Sequence, residues 1–167
     1  SFPFEENSAE ALRNHPLALE FVCPTTGNDG DASTTSLWAL KSILAMRNER
    51  FAIMFTKKFS EATERRIAVP DYPAPVFEAF LGWLHLDSAE SALIGDETYA
   101  TALLMISDEY NDTRLRSLCE KRLVGMLRDD NVADLAWLAD RHSAPSLRSN
   151  AISYIMFRDI CQSTSIG

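Results

Sequence analysis

The sequence is short of the residues that build covalent or metal-held frameworks. Its three cysteines, Cys23, Cys119 and Cys161, lie far apart. An odd count without paired spacing argues against a disulfide framework and against a zinc site. Each thiol reads instead as a small apolar filler in a reducing compartment. The three histidines, His15, His85 and His142, show no ligand spacing either. Positive charge is also scarce, with Lys and Arg at 16 against Asp and Glu at 24, a formal net charge of −8. An acidic chain repels phosphate backbones, so nucleic acid is not an expected partner. No apolar run approaches the roughly 18 residues that cross a bilayer, and no signal peptide opens the chain. No membrane segment is therefore expected, and the expected address is intracellular, cytoplasm and/or nucleus.

Motifs for catalysis and cofactor binding are missing as well. Gly27 and Gly30 stand in the polar stretch PTTGNDGDASTT, residues 24–35, but no Gly-Lys-Ser/Thr follows to cradle a phosphate. There is no nucleophile elbow, no histidine-rich metal motif and no dinucleotide fingerprint. Acidic pairs such as Asp129–Asp130 are explained by solvation and by favourable placement near helix starts. Asp140, Arg141 and His142 are consecutive, and consecutive helical residues diverge. The expectation is a chain that is not an enzyme and holds no cofactor.

Apolar residues are plentiful, at 46% of a 167-residue chain, which is enough for one domain, or one domain with an appendage. Leu17 to Cys23 alternates as a strand, with Leu19, Phe21 and Cys23 on one side. SLWALKSIL reads as a strand running into a helix, with Ile43, Leu44, Phe51, Met54 and Phe55 inward. Ile67 to Val69 is a short strand. Pro75 suits the first turn of a helix through Phe77, Phe80, Leu81 and Leu84. Ala100 to Met126 reads as a helical hairpin. Its second arm carries Leu115, Leu118, Cys119, Leu123 and Met126 on one face, and Asp112 or Thr113 caps it. Tyr110 stands at the corner, either as a core-edge aromatic or with its hydroxyl kept at the surface. Asn131 can cap a further helix, and Pro145 opens the last, whose stripe is Leu147, Ala151, Tyr154 and Ile155. The fold class is α+β: a few strands in front, helices behind.

Four stretches, in order, resemble a BTB (POZ) domain followed by a 3-box, as in speckle-type MATH-BTB and related cullin-3 adaptors. They are Ala39 to Phe55, ALKSILAMRNERFAIMF; the run IAVPDYPAPVFEAFLGWLH from Ile67; Ser107 to Leu123, SDEYNDTRLRSLCEKRL; and Asn131 to Ile155 with its Leu-Ala-Asp-x-His-Ser-Ala run. The resemblance implies a short sheet with a cluster of helices over residues 17–127. A short N-terminal helix in 1–16 would precede it, with 3-box helices over 128–160 and a tail from 161 to 167. There are departures. Leu40 replaces the histidine of Ala-His-Lys, and His85, Leu86 and Asp87 replace Tyr-Thr-Gly. The acidic residue that usually opens the first strand is Ala18 or Leu19 here.

The resemblance further implies an adaptor of a cullin-3 ubiquitin ligase. Its cullin contact would use the hydrophobic-x-Glu pattern Phe59-Ser60-Glu61, with Tyr110, Met54, Asp112 and Leu115 beside it. Phe59 stands among charges in KKFSEATERR, where no core periodicity requires it. Homodimerisation would use the N-terminal helix and the Ser42–Met54 region, with Leu12, Ser42, Ala45, Met46 and Phe51 as candidates. The substrate would be selected by a further domain that this sequence does not contain. The competing expectation is a BTB module that oligomerises or recruits a corepressor and never meets a cullin.

Overall fold

A computed structural model of the chain describes residues 11–25, 33–57, 65–87 and 95–164, with the side chains of all of these but Lys57 as far as Arg158. It divides into two compact units, Ser1–Ser88 and Ala89–Gly167.

The front unit is built on a three-stranded sheet of order β2-β1-β3. β1 (Ala18–Pro24) pairs antiparallel with β2 (Thr34–Leu40) from Ala18 opposite Leu40 to Pro24 opposite Thr34. β3 (Arg66–Ala68) runs parallel to β1, with Glu20 opposite Arg66. Strand alternation puts Leu19, Phe21 and Cys23 inside as expected. Ala18 is buried too.

The helix after β2 is two helices, not one. α1 (Lys41–Arg47) stops at Asn48, and α2 (Glu49–Lys57) starts there. Asn48 is buried, and its Oδ1 accepts from the Arg50 N–H at 3.0 Å and the Phe51 N–H at 3.3 Å. This is side-chain capping of the second helix by a residue type suited to it. α3 (Ala74–Leu86) follows, with Pro75 in its first turn. It is buried on nearly every side, Trp83 included. Asp87 closes it in the left-handed region, φ 54°, and donates its N–H to the Trp83 carbonyl at 2.9 Å. A short side chain that can bond locally tolerates that conformation better than most. The core here is aromatic. Phe21 meets Phe77 at 5.2 Å and Phe51 at 6.0 Å between ring centroids, and Phe51 also neighbours Phe55 and Phe80.

The back unit is helical. α4 (Glu97–Glu109) is capped by Asp96, which accepts from the Tyr99 N–H. α5 (Thr113–Val124) is capped by Asp112, whose Oδ1 accepts from the Leu115 N–H at 2.9 Å, so the cap is Asp112 and not Thr113. The two pack as the expected hairpin, with Leu103, Leu104, Ile106, Leu115, Cys119 and Leu123 buried. α6 (Val132–Arg141) and α7 (Pro145–Thr164) form a second pair, and α7 also packs on α5. α7 runs past the expected end at Ile160. The residues Gln162, Ser163 and Thr164 carry no helix breaker. Of its expected stripe, Leu147 and Ala151 are buried, but Ile155 is exposed.

Candidate protein-interaction surfaces

In the front unit, the expected pairing residues fall into two groups. Met46 is 77% exposed, Ser42 is exposed, and Leu12 and Ala45 are half-buried. Phe51 is wholly buried in the aromatic cluster. A ring with no accessible surface has nothing to offer a partner, so Phe51 is a core residue rather than a contact. Ala18 and Leu19, which stand where an acidic residue was expected, are both core side chains. Of the expected cullin contacts, Met54 is half-buried. Phe59 and Glu61 lie outside the described residues.

In the back unit, Tyr110 sits half-buried at the hairpin corner, and its N–H bonds the Ile106 carbonyl at 2.8 Å. Asn111 beside it has φ 52°, which lets the chain turn sharply into the Asp112 cap. Asp112 keeps part of its surface while capping α5. Leu115 is fully buried. Its place on the inward stripe of α5 and its proposed contact with a partner are incompatible, and burial decides for the stripe.

Three carboxylates tie the α6–α7 pair to the hairpin, and the sequence reading missed all three. Glu120, on α5, is buried and accepts from the Leu147 N–H at 2.8 Å. It thereby satisfies one of the orphan amides in the first turn of α7. Asp108, at the end of α4, reaches His142 Nδ1 at 3.2 Å and Arg116 at 3.8 Å. Arg116 also donates to the Ser143 carbonyl at 3.3 Å. Glu97, in the first turn of α4, accepts from Asn131 Nδ2 at 2.7 Å and from Arg128 at 2.9 Å. Asn131 was expected to cap α6 with its side chain. It stands at the right position, but its amide is used elsewhere. Its Oδ1 accepts from the Arg128 N–H at 2.7 Å, and its Nδ2 also bonds the Met126 carbonyl. The one available signal was Glu120 bordering the Leu115–Leu123 stripe three residues before Leu123, a place where a carboxylate needs a partner.

The run Asp140, Arg141 and His142 diverges as expected. Asp140 pairs with Arg148 at 3.0 Å, Arg141 lies over the Trp137 ring, and His142 turns to Asp108. Burial pushes the Cys23 thiol up to about 11 and, helped by the Asp112 charge, the Cys119 thiol up to about 12. Both are therefore protonated fillers at neutral pH. Among the described residues there is no group of three or more His, Cys, Asp or Glu side chains arranged to hold a metal ion. Among them, too, no helix is long and apolar enough to cross a membrane.

The family model of the BTB/POZ domain matches residues 30–127. The chain belongs to the BTB/POZ family. As a BTB domain it is a protein-interaction module, and such domains in general are not enzymes. The α+β architecture, a small three-stranded sheet with many helices, is that of the family. β1 precedes the matched residues yet pairs with β2 along its whole length. The α6–α7 pair follows them and packs into the same unit as the BTB hairpin α4–α5.

Proposed function

We propose that this BTB domain is the adaptor subunit of a cullin-3 ubiquitin ligase. In this reading it docks the cullin N-terminal region through Phe59, Glu61 and Tyr110, with Met54 and Asp112 as lesser contributors. The observation that carries the reading is the attachment of α6–α7 to the hairpin by Glu97, Asp108 and Glu120. These helices are the stretch that resembles a 3-box. Three buried or half-buried polar joints make them part of the unit that bears Tyr110 rather than a loose tail. The sequence supports the rest: Phe59 is an aromatic residue among charges, the type of side chain that anchors interfaces. Pairing of two copies through Leu12, Ser42, Ala45 and Met46 would double the ligase by an isologous contact. The high exposure of Met46 supports that face. A substrate would be brought by another domain.

Calorimetric titration of the chain with the N-terminal half of cullin-3 tests the reading. Phe59→Ala and Tyr110→Ala are each expected to weaken binding by about 2 kcal/mol, roughly thirtyfold, with the fold intact by circular dichroism. Unchanged affinity in both variants rejects this docking surface. A wild-type chain that gives no heat with the cullin rejects the adaptor role itself.

A further inference from the structure

α6 buries Val132, Leu135, Leu138 and Ala139 and leaves Ala133, Asp134, Trp137, Asp140 and Arg141 exposed. Trp137 stands at the centre of that outward side, 63% exposed. Asp134, Trp137 and Arg141 follow one another at three- and four-residue spacing, and Ala133, Trp137 and Asp140 at four and three, so two rows of the helix cross at the ring. Tryptophan is the side chain most often found anchoring interfaces, together with tyrosine and arginine. This ring already holds a cation. The Arg141 guanidinium carbon lies 5.3 Å from its centroid. An indole has two electron-rich faces, and one guanidinium covers one of them. With 63% of the residue exposed while Arg141 is in place, the other face is open to a second.

The charge around the ring is negative. From Asp129 to Asp140 the chain has four carboxylates and no cation. Three of them are engaged: Asp129 by Tyr154 and Arg158, Asp130 by Arg128, and Asp140 by Arg148. Asp140 and Arg148 are both more than half exposed, so that pair leaves carboxylate surface in water. Asp134 has no hydrogen bond or ion pair among the described residues. An open π face thus lies one turn from an unpaired carboxylate on the same row of the helix. Both call for the same complement, a cation carried on an apolar or planar stem.

We propose that the outward side of α6 docks an arginine-bearing segment of another protein, with one guanidinium on the open face of Trp137 and a second cationic side chain on Asp134. Arginine suits the place better than lysine. Its planar, weakly hydrated head stacks on aromatic faces and forks onto carboxylates, as Arg141 and Arg148 do here from within the chain. The acidic surround repels phosphates and anionic lipid headgroups, so neither nucleic acid nor a membrane fits. A second copy of this chain would bring the same carboxylates to the contact and repel. The surface uses none of Phe59, Glu61 and Tyr110, and it does not rest on the cullin reading.

Calorimetric titration of the full chain with capped octa-arginine and capped octa-lysine tests this, because the two probes carry equal charge. The wild type is expected to bind octa-arginine about fivefold more tightly. Trp137→Ala, at an exposed position, is expected to weaken octa-arginine about tenfold and to level the two peptides, with circular dichroism unchanged. Trp137→Phe keeps a smaller aromatic face and should retain part of the preference. Asp134→Asn should weaken both peptides about twofold. Glu78→Gln, an equal loss of charge at an exposed position of α3, should leave the preference intact. No preference in the wild type, or the same preference in Trp137→Ala, overturns the proposal. So does a change in the chain's own sedimentation on Trp137→Ala, which would make the surface a contact between copies. A Trp137→Ala chain that loses the N-terminal half of cullin-3 but binds octa-arginine as before overturns it as well, and gives the surface to the cullin.

Discussion

The two units are held by different physics. The front unit is filled with aromatic rings, Phe21, Phe51, Phe55, Phe77 and Phe80, and its buried polar side chain among the described residues is Asn48. The back unit buries no aromatic side chain among its described residues. Its interior is Leu, Ile, Val, Ala and a cysteine, and its buried polar groups, Ser107, Glu120 and Asn131, sit at or near the seams between helices. Large rigid rings specify a packing by shape alone. Aliphatic helices slide more readily on one another, and a buried carboxylate that must reach one amide sets their register. The front is thus specified by volume, and the back by hydrogen bonds.

The largest expected effect strikes the front. Phe77→Ala removes a ring from the centre of the aromatic cluster and leaves a cavity. It should cost about 3–5 kcal/mol in chemical denaturation. Hydrogen exchange should show the loss over residues 18–24 and 34–57 first. An equal loss of protection over residues 132–158 would mean that the two units unfold as one, and would erase the distinction drawn here.

A smaller but more local effect is expected at the back. Glu120→Ala leaves the Leu147 N–H buried without a partner and should cost about 2 kcal/mol. Glu120→Gln keeps an acceptor oxygen and should recover about half of that. The loss should appear in the exchange of the amides at the start of α7, with residues 18–86 unchanged. A Glu120→Ala chain whose α7 amides exchange as slowly as before would show that packing on α5, not the carboxylate, seats that helix.

The same contrast explains what was legible in the sequence. Periodicity within one element is local, so the inward faces of β1, α3 and α5 could be read directly. The Asp112 cap was legible as one of two adjacent candidates, and the hydrogen bond to the Leu115 amide selected it. The BTB assignment rested on four such local patterns in order. What escaped was every feature whose partner lies on another element. Glu120 needs α7, Asn131 needs Glu97, and Asp108 needs His142. Leu115 and Phe51 failed as surface candidates for the complementary reason. Each also belonged to an apolar face, and the two roles exclude one another. The break at Asn48 between α1 and α2 was missed because the apolar spacing carries straight across it.

The finest test of the contrast uses Cys23 and Cys119, the buried thiols among the described residues, one in each unit. Burial raises Cys23 to about 11 and Cys119 to about 12, against about 8.5 for a free thiol. A raised pKa means that the folded state keeps a proton which the unfolded chain has already lost. The stability tied to each thiol is therefore complete below pH 8 and drains away as pH rises through 9 and above, ending near 11 for Cys23 and near 12 for Cys119. Between pH 8 and pH 10 the Cys119 contribution should fall by roughly 1–2 kcal/mol. Urea midpoints at the two pH values, compared between the wild type and Cys119→Ala, should show this fall only in the chain that has the thiol. Cys23→Ala should flatten the curve by nearly the same amount, because at pH 10 both thiols are still protonated in the folded chain and only the unfolded ones have ionised. A fall in Cys119→Ala as large as in the wild type would mean that this thiol does not hold its proton in the folded chain, and would remove the burial inferred for it.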